Sequence, residues 1–578
     1  MRDIISPDAA KIPKKFWSFI KGKKQESSGV TPLRQTDGTL HSNPHTKPDI
    51  LNCQFKSVFT KEDMSSIIVT ISGVEKLLKN IKPYKATGPD SIPVRLLNEL
   101  SVQLAPALTY IYQKSITAGE VPDDWKMAHV VPIFKKGDKS KSSNYRPVSL
   151  TSICSKLMEH ILHSNIMSHF EKHAILTEAQ HGFRSRRSCE SQLIYTVHEL
   201  TKGLSEGKQI DVILLDFSKA FDKVPHERLI HKLHYYGVRN NTLSWIRSFL
   251  QNRKQLVMVE GERSTVTDVD SGVPQGTVLG PLLFLAFIND LPEVVSSPVR
   301  IFADDCLVYR SINKVEDTAA LQNDMSALQQ WESDWQMMFH PEKCTTIHIS
   351  KKKNPIHTGY KLHGHTLESV PGSKYLDVHV NKDLYWNDHI QQTSAKASRS
   401  VGFLQRNLRG CPQDVKAQAY TTLVRPVLEY ASTVWDPYTL QQIYALERVQ
   451  RQAARFVTGD YSSRDPGSVT RMLQQLQWDT LEERRARSRS IMLYRILNNL
   501  VEVPLHQYIQ INTTRTRGSC AHNIRQISTR VDAYKYSFLP RTIVTWNLLP
   551  PELRSQPTVE SFRHHILTIS MPGLISNM

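Results

Sequence analysis

Three aspartates stand where carboxylates could carry out chemistry. Asp216 ends an apolar, β-branched run, residues 210–217, that predicts a buried strand. Asp304 and Asp305 lie in a predicted hairpin, residues 299–309, whose strands meet at a tight Asp-Asp turn. Neighbouring carboxylates repel each other, and a hard cation such as Mg²⁺ would offset that cost. Two such ions, held from separate strands, can activate an attacking hydroxyl and stabilise the leaving oxygen of an in-line phosphoryl displacement.

The same aspartates have a plainer interpretation, in which each only caps or turns the chain. For Asp216 alone, or for the Asp304-Asp305 pair alone, the plainer interpretation holds at least as well. The metal interpretation is favoured only when the two sites are taken together with the motifs below.

The elements that must position these residues are indicated by hydrophobic periodicity. From about residue 70 to 350, short apolar runs alternate with helical patterns, which is typical of a mixed α/β domain. Residues 281–291 predict a helix opened by Pro281. From about residue 385 the pattern is mostly helical, and Pro426 is expected to kink or shorten one helix. Residues 1–60 are basic and proline-rich, which is typical of a linker or arm.

Composition limits the class of protein and of partner. The chain has 578 residues, a net charge of +18 and a pI of about 9.4, which favours a polyanion: nucleic acid first and an anionic membrane surface second. Hydrophobic residues make up 40% of the chain, so wholesale disorder is excluded. The seven cysteines form no CxxC pair, which argues against a disulfide scaffold and a zinc finger.

Targeting signals are not apparent in the sequence. The basic N-terminus has no apolar segment of the signal-peptide kind, and the longest apolar run, residues 281–288, is far shorter than a membrane span. The sequence therefore predicts an intracellular protein without a membrane partner, in the nucleus or the cytoplasm. Between residues 399 and 495, 14 of the 15 basic residues are arginine. Since arginine binds phosphate bidentately, this stretch is predicted to grip nucleic acid.

A series of motifs in a fixed order identifies a resemblance. The first eight are KATGPDSIP (85–93), VVPIFKKGDKSKSSNYRPVSL (130–150), QHGFRSRRS (180–188), DFSKAFDKVPH (216–226), SGVPQGTVLGPLLF (271–284), FADD (302–305), FHPEKC (339–344) and KYLDV (374–378). LVRPVLEYASTVWDPY (423–438), LERVQRQAARFV (446–457) and SFLPRTIVTWNLLP (537–550) follow. The chain resembles the reverse transcriptases of non-LTR (LINE-type) retrotransposons, of the jockey and chicken-repeat kind.

The resemblance implies an α+β fold of the right-hand polymerase type, with fingers, a palm built on an antiparallel sheet, and a helical thumb followed by a mainly helical C-terminal region. The implied divisions are a basic arm over 1–69, fingers and palm over 70–380, the thumb over 381–480, and a C-terminal region of uncertain role over 481–578. The implied activity is that of an RNA-directed DNA polymerase, a nucleotidyltransferase. It would add dNTPs to a DNA primer or target strand on an RNA template.

The resemblance also implies roles for individual residues. The palm carboxylates that hold two Mg²⁺ ions, or Mn²⁺ in their place, match Asp216, Asp304 and Asp305, with the backbone carbonyl of Phe217 as an extra ligand. The residues implied in binding substrate or assisting the leaving group are the steric gate Phe221, the pair Gln275 and Gly276 beneath the templating base pair, Lys343 near the leaving pyrophosphate, and the triphosphate-binding set Lys135, Lys136, Arg146 and Arg184.

Each of these roles has an alternative. Phe221 can be ordinary core packing, and Lys343 can be a solvated surface lysine. Gln275 and Gly276 can form a Pro-Gln-Gly turn, which is compatible with the implied role. The basic fingers residues can contact the template backbone instead of the triphosphate, and one sequence does not decide which of them bind it.

Departures from the family pattern support a rival hypothesis. Asp377 replaces the glycine usual in the YLG primer-grip motif, which would place a carboxylate near the primer. His340 stands where asparagine is common, Phe302 replaces the commoner tyrosine, and Thr277 replaces serine. The upstream endonuclease usual in these elements is not visible, and the resemblance begins in the linker around residues 14–24, so we expect a truncated element or partial gene.

The rival hypothesis is a decayed element that still binds RNA but no longer polymerises. A further alternative is an intron-maturase-like or telomerase-like polymerase. The motifs after residue 420 favour the retrotransposon interpretation over that one.

Overall fold

The computed structural model describes residues 63–511 and 523–569, and also the backbone of residues 33–34 and 40–41. The chain divides into two compact units, Met1–Asp63 and Met64–Met578. In the first unit, Leu33–Arg34 and Leu40–His41 form an antiparallel pair. Most of the basic arm predicted for residues 1–69 lies outside the described residues.

The strands of the described residues are mostly short. In chain order they are β1 Leu33–Arg34, β2 Leu40–His41, β3 Met127–Phe134, β4 Tyr145–Leu150, β5 Gln209–Asp216, β6 Arg253–Val259, β7 Glu262–Arg263, β8 Thr267–Val269, β9 Val299–Phe302, β10 Asp305–Ile312, β11 Thr345–Ile349, β12 Lys361–Leu362, β13 His365–Thr366, β14 Glu368–Ser369, β15 Gly372–Tyr375 and β16 Val378–Asn381.

The α-helices are concentrated in the second half of the chain. In chain order they are α1 Ile71–Lys79, α2 Val94–Glu99, α3 Ser101–Ala118, α4 Ile153–Lys172, α5 Cys189–Ser205, α6 His226–Tyr235, α7 Asn240–Leu250, α8 Leu279–Ile288, α9 Val315–Trp335, α10 Asn387–Asn407, α11 Gln413–Leu423, α12 Arg425–Glu429, α13 Ser432–Trp435, α14 Leu440–Thr458, α15 Ser468–Gln475, α16 Leu481–Leu497, α17 Asp532–Lys535, α18 Phe538–Leu548, α19 Pro551–Arg554 and α20 Val559–Leu567.

The palm sheet has five strands in the order β14-β11-β5-β10-β9. Its central strand β5 pairs antiparallel with both β10 and β11. The apolar residues of β5, from Val212 to Leu215, suit this place, because a central strand covered on both faces is mainly hydrophobic. A second sheet, the fingers sheet, has the order β4-β3-β6-β7 with β8 added on β6. The mixed α/β fold is therefore that of the right-hand polymerase class.

Two apolar cores support these sheets. The first lies beneath the fingers and palm helices and includes Phe284 of α8 and Trp331 of α9. The second joins α5 and the palm sheet to the C-terminal helices, and includes Trp435 and Trp546. Residues after 481 thus share a core with the palm sheet.

Three local predictions can be compared with the structure. The predicted strand at 210–217 is confirmed as β5. The predicted Asp-Asp turn is wrong in its position: Asp305 already pairs with Phe302, so the turn residues are Ala303 and Asp304. The helix predicted from Pro281 begins two residues earlier, at Leu279, because a proline is tolerated in the first turn of a helix.

The helical second half is confirmed. Pro426 interrupts it as expected, since α11 ends at Leu423 and α12 begins at Arg425. In the part of the chain that the structure describes, no helix is long and apolar enough to cross a membrane.

Candidate active site

The palm aspartates meet at one end of the central strand pair. Asp216 is the last residue of β5, and Asp305, the first residue of β10, lies directly opposite it in the antiparallel register. Asp304 precedes Asp305 in the hairpin turn. Side chains directly opposite in such a pair stand about 4.5–5.5 Å apart at Cβ, and like charges there are destabilising. The fold therefore concentrates negative charge at this end of the sheet.

The pKa values reflect this crowding. The pKa of Asp305 is raised to about 6, first by desolvation and then by the charges of Asp304, Asp216 and Asp377. The carboxylate still reaches solvent, but the surrounding cleft walls restrict its hydration. Desolvation also raises the pKa of Asp304, while Arg146 opposes that shift. A bound cation would relieve both effects, because it favours the ionised carboxylates.

A cleft of about 380 Å³ opens beside Asp216 and Asp305, and we call it the palm cleft. Its lining includes three lysines and one glutamate, namely Lys136, Lys343, Lys374 and Glu342. The Nζ of Lys343 is 3.6 Å from Oδ2 of Asp216, and both side chains are about half exposed. The cleft thus combines carboxylates that can bind cations with ammonium groups that can bind phosphate.

The backbone around Asp216 is held by the segment after α9. The amide of His340 donates to the carbonyl of Asp216 at 2.7 Å, and that of Ser218 donates to Met338 at 2.9 Å. The Phe217 ring is buried and stacks on Phe339 at 4.3 Å between centroids. These contacts place Lys343 next to Asp216.

The Phe221 ring packs against α8, and its backbone contacts the segment that carries Gln275 and Gly276. It is half-buried and stacks on Phe284 of α8 at 4.5 Å between ring centroids. The backbone carbonyl of Phe221 accepts from the amide of Val273 at 2.7 Å. This bond holds residues 271–276, the SGVPQG loop, against the backbone of Phe221. The stacking agrees with the packing interpretation, and the gate role stays a prediction.

Gln275 and Gly276 lie where the SGVPQG loop crosses strand β4. The amide of Ser149 donates to the Gln275 carbonyl at 2.8 Å, and the Gln275 side chain donates to Oδ1 of Asp222 at 2.9 Å. Gly276 has a φ of 104°, and a Cβ there would lie 2.6 Å from the Ser149 carbonyl oxygen. Only glycine fits this crossing, since it lacks a Cβ and tolerates positive φ.

The basic fingers residues do not form one group. Lys135, Lys136 and Arg146 are exposed, and Lys136 lines the palm cleft. Lys135 and Arg146 lie close enough to the palm to oppose the rise in the pKa of Asp304 that desolvation causes.

Arg184 differs from the other three. Its side chain is only 11% exposed and donates to the backbone carbonyl of Thr177 at 2.8 Å. It therefore has a structural contact, and its predicted binding of triphosphate stays untested.

Asp377 forms the tip of the β15–β16 hairpin with Leu376. The register pairs Tyr375 with Val378, so the turn has two residues, with φ values of 48° for Leu376 and 62° for Asp377. Such turns need positive φ at both central residues, and aspartate adopts this conformation readily. The aspartate thus occupies the position of the usual glycine without disturbing the hairpin, although it adds a charge near Asp305.

The predicted phosphate-gripping role of the arginine-rich stretch is wrong for several of its members. Arg485 and Arg489 are buried and pair with Asp436, and Arg487 pairs with Asp479. The buried carboxylate of Asp436 neutralises Arg485 and Arg489 there, and Arg487 is buried against the partly exposed Asp479. None of the three therefore presents its charge to a nucleic acid. Exposed basic residues do remain on α10, and they include Lys396, Arg399 and Arg406.

Sequence reasoning missed Glu159, which supports the site from below. Its carboxylate is fully buried in α4 and accepts from the amides of Val278 and Leu279, at 2.7 and 3.1 Å, where α8 begins. It thereby holds the end of the SGVPQG loop. No local signal in the sequence distinguishes Glu159 from a surface glutamate, since polar residues such as Lys156 and His160 stand near it in α4.

No preformed metal centre is visible within residues 63–511 and 523–569, where no group of three or more His, Cys, Asp or Glu side chains is arranged to hold an ion. Magnesium commonly binds through one or two carboxylates together with water and substrate phosphates. The metal-binding role of Asp216, Asp304, Asp305 and Phe217 stays a prediction.

The sequence of the chain is similar to those of known proteins. Residues 133–391 match the family described as reverse transcriptase (RNA-dependent DNA polymerase). The chain is 26% identical over 491 residues to the probable RNA-directed DNA polymerase from transposon BS of Drosophila melanogaster, covering 77% of this chain and 53% of that protein. It is 28% identical over 478 residues to the RNA-directed DNA polymerase from mobile element jockey of Drosophila funebris, covering 77% and 52%.

The chain spans about half the length of the curated relatives it matches. Enzymes of the matched family normally use divalent metal ions. The matched residues contain the palm sheet, all three palm aspartates and every strand of the fingers sheet except β3, most of which precedes residue 133. The chain therefore carries a domain of the reverse transcriptase family over residues 133–391, and its relatives are RNA-directed DNA polymerases of non-LTR retrotransposons.

Proposed function

We propose that this chain is an RNA-directed DNA polymerase that extends a primer 3′-OH with deoxynucleotides on an RNA template. The observation that carries the proposal is the placing of Asp305 opposite Asp216, with Asp304 in the adjoining turn. Asp216 and Asp305 line a cleft that Lys136 and Lys343 also line. The match to reverse transcriptases over residues 133–391 supports the same reaction.

A divalent ion fits the oxygen donors at this end of the palm sheet. Asp216, Asp304 and Asp305 are hard oxygen donors, and the pKa of Asp305 is raised partly because the carboxylates repel one another. These three side chains, with the carbonyl of Phe217, would hold Mg²⁺ or Mn²⁺. When bound, such ions supply activation of the attacking hydroxyl and stabilisation of the leaving oxygen.

Basic residues at the cleft would bind the incoming nucleotide. Lys135, Lys136 and Arg146 are exposed on or beside β3 and β4, where their charges can hold a triphosphate. Lys343 lies next to Asp216, and its ammonium group would stabilise the negative charge of the leaving pyrophosphate. Arg184 would contribute to triphosphate binding indirectly, by holding its own loop against the carbonyl of Thr177.

The incoming nucleotide and the templating base pair would be recognised by shape. Phe221 would exclude a ribose 2′-OH, because a ring fixed by stacking on Phe284 cannot move aside. Gln275 and Gly276 would support the templating pair, since the backbone of Gly276 permits close approach.

A primer-extension assay tests the proposal. Purified protein receives a primed RNA template, Mg²⁺, and either dNTPs or rNTPs. We expect extension with dNTPs, and we expect Asp304→Asn to abolish it while RNA binding stays largely intact. The matched control is Asp334→Asn, an exposed aspartate on α9, which should extend normally. Extension by the Asp304 variant would contradict the site, and RNA binding without extension by the unaltered chain would support the decayed binder.

A further inference from the structure

The loop of residues 178–187 extends the palm sheet beyond its edge strand β9. The amide of His181 donates to the carbonyl of Ile301, and the amide of Ile301 donates to Ala179, both at 2.9 Å. This loop contains the QHGF motif, whose implied role had been limited to Arg184. The backbone pairing brings the loop directly beside the turn that carries Asp304.

One buried side chain fixes that turn. Gln180 is 2% exposed, and its Oε1 accepts from the amides of Gly182 and Ala303, at 2.7 and 3.0 Å. Ala303 has a φ of 53°, a left-handed conformation that is strained for a residue other than glycine. A Cβ on Gly182 would lie 2.5 Å from the Ala303 nitrogen, so the loop and the turn are in direct contact.

The loop is itself strained and must be held in place. Phe183 and Arg186 have φ values of 54° and 57°, although neither is glycine. Conformations of this kind persist only where the surrounding structure determines them. The contacts that hold this loop therefore bear on the position of the palm aspartates.

Arg187 joins the loop to the C-terminal region. Its side chain is 3% exposed and donates to the carbonyls of Glu178 and Gln180, at 3.0 and 3.2 Å. Its Nε donates to Oε2 of Glu502 at 3.0 Å, and it also pairs with the Glu178 carboxylate. Charge-assisted hydrogen bonds of this kind are stronger than those between neutral groups.

Glu502 follows α16 and contacts the loop at two further points. Its amide donates to the carbonyl of Arg186 at 2.9 Å, and its Oε1 is 2.6 Å from Nη2 of Arg186. One residue of the C-terminal region thus pairs with two consecutive arginines of a strained loop, more than 300 positions away in the sequence.

We propose that Glu502 is a positioning residue: through Arg187 and Gln180 it holds the turn that presents the palm aspartates. The C-terminal region after residue 481 thereby takes part in assembling the palm site. The catalytic side of this inference rests on the proposed polymerase function, whereas its structural side does not.

Hydrogen–deuterium exchange of the full chain tests the structural side. We expect Gln180→Leu and Glu502→Ala to speed exchange of the amides in 301–305 about tenfold, since each removes a link to the turn. Glu502→Gln keeps a hydrogen-bond acceptor and should give a smaller change. Glu560→Ala, an exposed carboxylate on α20, should leave 301–305 unchanged. Unaltered exchange of 301–305 in Glu502→Ala would overturn the inference, whether or not the chain polymerises.

Steady-state primer extension tests the catalytic side. Because small displacements of catalytic groups slow chemistry strongly, we expect Glu502→Ala to lower kcat about tenfold with the KM for dNTP within about twofold. Adding Glu502→Ala to Gln180→Leu should cause little further loss, since both act on one turn. Fully additive losses would overturn the coupling. A wild-type chain without extension would contradict the proposed function, and the exchange experiment would still decide the role of Glu502.

Discussion

Arg485 and Asp436 form a buried ion pair in the C-terminal half of the chain, with Nε donating to Oδ1 at 2.6 Å and neither side chain more than 3% exposed. Asp436 also pairs with Arg489 and Arg541. A single carboxylate therefore neutralises part of the charge of three buried guanidinium groups. This arrangement explains why Arg485 and Arg489 add to the net charge of the chain without presenting that charge at its surface.

Loss of the Asp436 charge should be strongly destabilising. We expect Asp436→Asn to lower the free energy of unfolding by about 3–5 kcal/mol, because it leaves buried guanidinium groups uncompensated. Denaturant unfolding measures the change. Asp465→Asn is the matched control, since this aspartate is 80% exposed and pairs only loosely with Arg471. Equal effects of the two substitutions would contradict the neutralising role of Asp436.

The crossing at Gly276 should not tolerate a side chain. We expect Gly276→Ala to lower primer extension by about a hundredfold or more, because the new Cβ displaces the backbone of Ser149 and the attached Gln275. Gly207→Ala is the control: its φ of 74° carries similar backbone strain, but no atom lies within 4 Å of the new Cβ. Comparison of kcat for the two variants separates the clash from the strain. Matching losses would mean that the close approach at Ser149 is unimportant.

Phe221 offers a test between its two interpretations. If the ring excludes the ribose hydroxyl, Phe221→Val should raise the use of rNTPs relative to dNTPs by about tenfold or more. The variant also loses the stack on Phe284, so its thermal stability should fall in either case. Competition assays with paired dNTP and rNTP concentrations give the ratio. Reduced stability with unchanged discrimination would leave Phe221 as a packing residue only.

A buried histidine should make the fold sensitive to acid. His198 lies between Tyr508 and Tyr534, and neither of its ring nitrogens has a partner among the described residues. Burial lowers the pKa of His198 to about 4, and the nearby Lys202 adds to the effect. Between about pH 6.5 and pH 4, His198 is protonated in the unfolded chain but neutral in the folded chain. The free energy of unfolding therefore falls as the pH drops through this window.

Replacement of His198 by phenylalanine should remove this dependence. We expect His198→Phe to lessen the loss of stability between pH 7 and pH 5 by about 2 kcal/mol, as read from denaturant unfolding at both values. The ring is kept, so packing against the tyrosines changes little. A loss that is the same as in the unaltered chain would show that His198 is not the group that titrates.

The sequence by itself determined the local elements and the residues of the palm. The apolar run at 210–217 predicted β5 because a buried central strand needs apolar side chains along most of its length. The spacing and order of motifs predicted the fold class and the three aspartates, whose clustering follows from the pairing of β5 with β10. Local patterns of this kind depend on neighbours a few positions apart, and the sequence records them directly.

The tertiary structure decided which polar residues lie inside and what they support. In the sequence, Arg485 cannot be told from a surface arginine. The folded chain brings Asp436, 49 positions away, into contact with it. Glu159 and Gln180 acquire their roles from amides 119 and 123 positions distant, at Val278 and Ala303. A buried polar group is stable only with its partner, and folding alone brings such partners together.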